Sequence, residues 1–559
     1  MVTSRVGRGL AVLLALVSID TGSALSQPKA PAGSAAAPRA MPAAAATAPN
    51  AAPAAIAGSA TPSGEDDDEA GGSGSGSALV APTDPKQRVV WLSEKLTAAM
   101  TSRPLLTAKA KIGIQIVDLD TGTPLFAKND DAGMSLASNA KLLTSVAALG
   151  TLGGGFHWRT ALFIADKSLD ETTGVVKGDL WVRGKGDPTL SANDFRAMAT
   201  ELAAKGVRKI EGKLVIDDSY FDGDVEAPHF AEQPKERAAF RAPVASFGVA
   251  RSSFLVNVIG QPGGGAKVWI EPDAGEHIKI KKAEVTSISE GRTRIKVDVK
   301  PVKDTLEIQV TGQIKFADGH WWAKRRVDDP KRFAAEVLRK ALAERGITFT
   351  KKGIDSAPVP LNARQMVTHD SAPLSSVIRE MNKASDNYFA ETVLKTLGAE
   401  TRATPAPASW ADGHAAVQAF LGKLGLVPGT YRADNGSGLF NATEVSAKQL
   451  VAVLRGANAD YRIGPDLLAS LPVGGMDGTL ARRLANSPAK GRVRAKTGTL
   501  EKVVTLAGYV GVDGRHTLAF AILVNDIPTG QKAPARAMAD DMLDVIVAYL
   551  EAAQQPPSK

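Results

Sequence analysis

The chain has no cysteine among its 559 residues. That excludes disulfide staples, thiolate metal sites and lipid attachment at a lipobox cysteine. Its seven histidines are scattered with no His-x-x-x-His pair, so no metal site and no metal cofactor are expected. A Gly-rich phosphate loop of the Walker type is also missing, which removes the usual cradle for a nucleotide. The formal net charge of +8 is a modest excess that reads as solubility and gives no call for a nucleic-acid partner. The apolar stretch Leu10–Val17 is too short for a stable transmembrane anchor.

What the N-terminus does hold is a pattern. Arg5 and Arg8 precede that apolar stretch, and the small residues Ala24-Leu25-Ser26 follow it. Residues 1–26 therefore read as a secretory signal peptide, and export, to a periplasmic location, is the expectation. Next come an Ala/Pro-rich segment from Gln27 to Thr61 and an acidic Gly/Ser-rich one from Glu65 to Ser77. Residues 27–86 are expected to be a disordered tether. With 44% hydrophobic residues, the remainder can bury more than one core.

Three short motifs follow in order: Ser138-Asn139-Ala140-Lys141, Ser385-Asp386-Asn387 and Lys496-Thr497-Gly498. Attack on an amide carbonyl needs a hydroxyl, a base to take its proton, and donors aimed at the oxyanion that forms. The run from Ser138 to Leu149 predicts a buried helix with Gly150 as its stop. Residues three apart on a helix lie roughly 5–6 Å apart at Cβ, so the Lys141 amine can fold back onto the Ser138 hydroxyl. A lysine is a base only when neutral, and burial beside a second cation such as Lys496 drives it that way. Ser385-Asp386-Asn387 predicts a corner between two helices. Lys496-Thr497-Gly498-Thr499 predicts an edge strand beside a hairpin, Val503–Val510 and Leu518–Val524. Gly498 is expected to let a substrate backbone approach closely. Taken singly, each motif also fits a plain capping residue or a solvated lysine.

As an ordered set the motifs resemble the low-molecular-mass class C penicillin-binding proteins, the D-alanyl-D-alanine carboxypeptidase and endopeptidase family. Supporting runs are Ile114–Gly122, Gly186–Leu190, Met381–Ala384, Asp434–Leu439 and Pro472–Leu480. The resemblance spans about Val90 to about Leu550. It implies an α/β fold: a serine β-lactamase/transpeptidase-like domain, residues 87–167 and 354–559, split by a strand-rich inserted domain, residues 168–353. Alternation at Ile295, Val297, Val299 and at Leu306, Ile308, Val310 marks strands in that insertion.

The resemblance further implies Ser138 as acylated nucleophile, Lys141 as its base, Ser385 as proton relay and Asn387 as holder of the substrate amide. Lys496 and Thr497 would grip the substrate carboxylate, with Gly498 alongside. Backbone N–H groups of Ser138 and Thr499 would bind the oxyanion. Asp217 resembles a family position that reaches the substrate, and equally fits a strand-end turn aspartate. The implied partners are peptidoglycan stem peptides and β-lactams, with carboxypeptidase and endopeptidase chemistry both open and the oligomeric state undefined. Two departures stand out: Phe440 and Asn441 follow Leu439 where the family often carries a basic residue, and Arg251 falls where it tends to carry Asn. Rival readings are a catalytically silent peptidoglycan-binding protein and a β-lactamase.

Overall fold

Alternating apolar residues build a five-stranded antiparallel sheet whose order is Pro124–Lys128, Lys111–Asp118, Arg515–Asn525, Val503–Val512, Val493–Leu500. The computed structural model describes residues 79–403, 406–513 and 515–554. The expected signal peptide, and the expected tether as far as residue 78, lie outside them. Successive residues of a strand face opposite ways, and both faces here are apolar. Ile112, Ile114, Ile116, Phe520, Ile522 and Val524 meet Leu92, Met538, Met542 and Ile546 on one side. On the other, Ala507, Tyr509, Ala521 and Leu523 meet Leu142, Val146, Val377, Leu394 and Leu454. Each of the larger aliphatic or Phe side chains fully removed from water contributes about 1.5–3 kcal/mol, so helices cover both faces of the sheet.

The helix Lys532–Gln554 supplies Met538, Met542, Ile546 and Leu550, four residues apart along one stripe, to the first face, and Pro85–Thr101 joins it there. The latter begins inside the stretch expected to be a tether: Asp84 caps it by accepting from Lys86 and Gln87 N–H, and Ala81 is already buried.

The buried helix after the first motif also departs from expectation. It runs Ala140–Leu152, and Gly150 lies within it. A Cβ at Gly150 would stand 2.2 Å from the Phe420 ring, so that glycine serves packing against a neighbouring helix. The stop is Gly153, whose φ of 80° suits glycine. The Ser385 corner does form between the helices Leu374–Ala384 and Asn387–Thr401.

Between the buried helix and that corner lies the strand-rich insertion. Its first sheet runs Ile354–Ser356, Leu214–Asp217, Leu180–Arg183, Arg159–Ala165, Ala363–Asp370. The chain leaves and returns through adjacent antiparallel strands, with Arg159 opposite Asp370. The boundaries expected at 168 and 353 therefore cut this sheet, because three of its strands fall outside them. Turn residues at 166–168 suggest a boundary in the sequence, but hydrogen-bond pairing carries the insertion out to about 159 and 370. A second sheet places Ser253–Gly260 between Ala266–Glu271 and His320–Arg326. A third contains Arg294–Val302 and Thr305–Lys315, the alternating segments read from the sequence. No helix of the described residues is long and apolar enough to cross a membrane.

Candidate active site

Ser138 sits in a single 3-10 turn, Ala137–Asn139, directly before the helix Ala140–Leu152. Ala137 enters this turn at a φ of 45°, and the turn is fixed from beneath. Thr505, on the strand Val503–Val512 next to the edge, donates its hydroxyl to the Leu136 carbonyl at 2.8 Å and accepts from Asn139 Nδ2 at 2.7 Å. Gly498 makes that close packing possible. A Cβ there would lie 2.3 Å from Thr505 Oγ1 and 2.7 Å from the Leu136 carbonyl. The bare face of Gly498 thus presses on the strand and turn beneath Ser138, a packing role beside the expected substrate approach.

Lys141 is fully buried, and its amine lies 2.9 Å from Ser138 Oγ, 2.7 Å from Asn387 Oδ1 and 3.1 Å from the Ser437 carbonyl. Three acceptors at fixed distances leave the amine little freedom, which is what positions it on the hydroxyl. Asn387, in the first turn of its helix, also donates Nδ2 to the Phe240 carbonyl at 3.1 Å. Ser385 occupies the left-handed region at φ 57°, ends its helix, and accepts from Lys496 Nζ at 2.9 Å. Lys496 also reaches the Thr497 carbonyl at 2.8 Å. The strand Val493–Leu500 has Val503–Val512 as its neighbour and lies at the edge of the sheet; Val493 and Ala495 bond outward to the 472–474 loop, and beyond them the outer side is where an edge strand can pair with a peptide.

Ser138, Ser385, Asn387, Thr497 and Thr499 line one cleft of about 250 Å³ together with Phe240, Arg251, Lys324 and Thr479. Asp217 is not among its lining. It is buried at the end of its strand, accepts from Ser219 Oγ, Val359 N and Arg183 Nε, and belongs to the inserted sheet. Burial alone would raise its carboxyl, but those hydrogen bonds outweigh burial and hold it below the ordinary range. Of the two readings the sequence leaves open for Asp217, these partners fit the strand-end turn role.

Sequence reasoning missed several groups. Glu391 is fully buried and accepts from Gly436 N at 2.9 Å and Ser437 N at 2.8 Å, so it fixes the loop whose carbonyl holds Lys141. Burial pushes its carboxyl up, against the hydrogen bonds from Ser437 and Gly436 and the charge of Lys141. Its signal was available: Glu391 stands four residues after Asn387, one turn along the same helix. Thr479, in the Gly-rich loop 472–480, shares a 2.7 Å hydrogen bond with Thr497, and Lys383 ties that loop to the Ser385 helix through Asp477. Gly438 lets the 435–439 loop touch the Ser138 turn, since a Cβ there would lie 1.9 Å from the Ala137 carbonyl.

Arg251 gains a physical account. It pairs with Asp386 at 2.8 Å and with Glu380, and its guanidinium lies 4.6 Å above the Phe389 ring, bracing the insertion against the Ser385 corner. Phe440 packs edge-on against Phe230 at 6.0 Å. Among the described residues no group of three or more His, Cys, Asp or Glu could hold a metal ion.

Comparison with known proteins agrees with this geometry. Residues 92–548 match the model of the D-Ala-D-Ala carboxypeptidase 3 (S13) family. The chain is 32% identical over 484 residues to the D-alanyl-D-alanine carboxypeptidase of Actinomadura sp. strain R39, covering 84% of this chain and 86% of that one. It is 29% identical over 406 residues to D-alanyl-D-alanine carboxypeptidase DacB of Haemophilus influenzae, covering 72% and 82%. The crystal structure of penicillin binding protein 4 (dacB) from Haemophilus influenzae superposes with a TM-score of 0.66 at 24% identity, over 79% of this chain and 97% of that one. That likeness shows a shared fold. The chain therefore belongs to the D-Ala-D-Ala carboxypeptidase 3 (S13) family, within the low-molecular-mass class C penicillin-binding proteins, and is an enzyme of that serine carboxypeptidase class.

Proposed function

We propose that this carboxypeptidase acts on peptidoglycan stem peptides through an acyl-enzyme on Ser138, and that β-lactams acylate the same hydroxyl. The observation that carries the reading is the buried Lys141 amine 2.9 Å from Ser138 Oγ, held there by Asn387 and the Ser437 carbonyl. In its neutral form Lys141 takes the Ser138 proton as Oγ bonds to the carbonyl carbon of the penultimate D-Ala. The C–N bond then breaks, and the leaving D-Ala amine takes a proton delivered by way of Ser385. Water, deprotonated by the same base, hydrolyses the ester and returns Ser138 to its hydroxyl form. Lys496 and Thr497 hold the terminal carboxylate, and the Ser138 and Thr499 N–H groups receive the oxyanion.

Splitting of a cross-linked dimer uses the same steps with a larger leaving amine, so endopeptidase activity is part of the proposal. Residues 1–26 fit a signal peptide and support action in the periplasm. Labelling with a fluorescent penicillin tests the reading, with wild type and Ser138→Ala compared by gel and intact mass. A covalent adduct on wild type that is lost in the variant is expected. No adduct on folded wild type, or one that persists in the variant, overturns it.

A further inference from the structure

The second sheet of the insertion has one face that the acylation chemistry does not use. Val256, Val258, Trp321 and Ala323 turn into the core of the insertion, so the residues between them face outward. Strand register then sets three of these in one row across the sheet: Trp269 on Ala266–Glu271, Asn257 on Ser253–Gly260 and Trp322 on His320–Arg326. His320, two residues before Trp322 on the same face, stacks on the Trp269 ring with centroids 5.4 Å apart and planes 14° apart.

The row is built, yet incomplete. Trp269 donates Nε1 to Glu271 Oε1 at 2.9 Å, and the Lys267 amine lies 5.4 Å from its ring centre, so the Trp269–His320 stack is held as a wall. Trp322 beside it is 38% exposed. Asn257, between the two tryptophans, is 2% exposed; its Oδ1 meets His320 Nε2 at 2.9 Å, and its Nδ2 has no acceptor among the described residues. A buried donor without an acceptor is costly, and it marks a group that the row lacks.

This face leads into the cleft. Lys324, two residues after Trp322 and on the same side of the strand, lines the cleft that contains Ser138. At about 3.3 Å per residue, Trp322 stands about 7 Å outside that wall. A stem of four residues between the scissile bond and its sugar spans at most about 13–14 Å when extended. A cleft of about 250 Å³ is too small to enclose such a stem, so its far end emerges at the rim.

We propose that Trp322, with the Trp269–His320 stack beside it, forms a subsite for the N-acetylated amino sugars that carry the stem peptide. The proposal rests on the reading of this cleft as a stem-peptide site. The C–H face of a sugar ring is weakly positive and the face of an indole weakly negative, so the two stack. An acetamido carbonyl is the acceptor that Asn257 Nδ2 lacks, and it is reached as the exposed Trp322 ring tilts onto the sugar. The chemistry at Ser138 is unchanged, and the sugar adds binding remote from it.

Release of D-Ala by the full chain is measured on a pentapeptide ending in D-Ala-D-Ala and on the same pentapeptide carried by a disaccharide of N-acetylated amino sugars. Wild type should favour the sugar-bearing substrate about tenfold in kcat/KM, mostly through KM, the size of one ring stack with one hydrogen bond. Trp322→Ala should bring that preference to within about twofold, with the sugar-free peptide and penicillin acylation at wild-type rates, and Trp322→Phe should keep part of it. A Trp322→Ala protein that labels with penicillin and keeps the full preference overturns the proposal, as does a wild type that releases D-Ala but is indifferent to the sugar. A dimer seen by sedimentation that Trp322→Ala abolishes, with no sugar preference in wild type, assigns the face to a second copy and also overturns it. If Trp322→Ala does not label, Trp322→Thr, which keeps a strand-forming side chain, takes its place under the same criteria. Wild type that neither labels with penicillin nor releases D-Ala overturns the underlying reading and the subsite with it.

Discussion

Replacing Gly498 by alanine separates two explanations of one residue. A Cβ at 498 would lie 2.3 Å from Thr505 Oγ1, 2.7 Å from the Leu136 carbonyl and 3.1 Å from Ala137 Cβ. Two of those atoms are backbone or backbone-fixed, so the edge strand or the Ser138 turn must shift. Overpacking of this kind costs about 1–3 kcal/mol. Loss of the 2.8 Å Thr505–Leu136 hydrogen bond adds about 1 kcal/mol. Displacing Ser138 by about 1 Å from Lys141 would lower acylation on the order of a hundredfold. The assay pairs urea unfolding with the second-order rate of penicillin acylation for Gly498→Ala, Thr505→Ala and the double variant. Removing the Thr505 hydroxyl relieves the tightest contact, so the two changes should be less than additive in stability by about 1 kcal/mol. Strictly additive effects, or an unchanged urea midpoint with only peptide binding weakened, would refute the packing explanation and restore the substrate-approach one.

Other perturbations follow from the same geometry. Glu391→Ala orphans the Gly436 and Ser437 N–H groups in a buried place and should destabilise the protein by about 3–5 kcal/mol while slowing acylation, as thermal unfolding and penicillin labelling would register. Asp217→Asn should lower stability by about 2–3 kcal/mol yet leave the acylation rate of the folded fraction within a factor of two, because Asp217 lies outside the cleft. The folded value of Asp217 is depressed, so its stabilisation is present above the unfolded value and lost as pH falls through the folded one. His229, between Asp434 and Glu232, is opposed by burial but raised overall by those two carboxylates. Its contribution is therefore full below the unfolded imidazole value and lost as pH rises through the folded one. Protection of the amides in residues 226–233, corrected for the intrinsic rise of exchange with pH, should fall across that window in wild type and show no such step in His229→Gln.

Much of the site was legible because local chemistry carried it. The three-residue spacing of Ser138 and Lys141 survives a turn that is 3-10 rather than α at Ser138. The Ser385 corner and the edge strand follow from capping and alternation, signals that act over a few residues. What sequence reasoning misplaced or left open depended on distant partners. Gly150 looks like a helix stop until Phe420 packs on it, and Gly498 looks like a substrate contact until Thr505 lies beneath it. Asp217 shows its partners only when Val359 and Arg183 are brought beside it, 142 and 34 residues away in sequence. The insertion's limits were misread because the pairing of Arg159–Ala165 with Ala363–Asp370 is non-local. Arg251 reads as an unexplained change until Asp386 and Phe389 are seen against it.

The central claim is that a buried lysine amine activates Ser138. The most direct measurement is the second-order rate of penicillin acylation of Lys141→Ala against wild type, with circular dichroism certifying the fold of both. Removing the general base should lower that rate by about a hundredfold to ten-thousandfold. A folded Lys141→Ala protein that acylates at the wild-type rate would contradict the account.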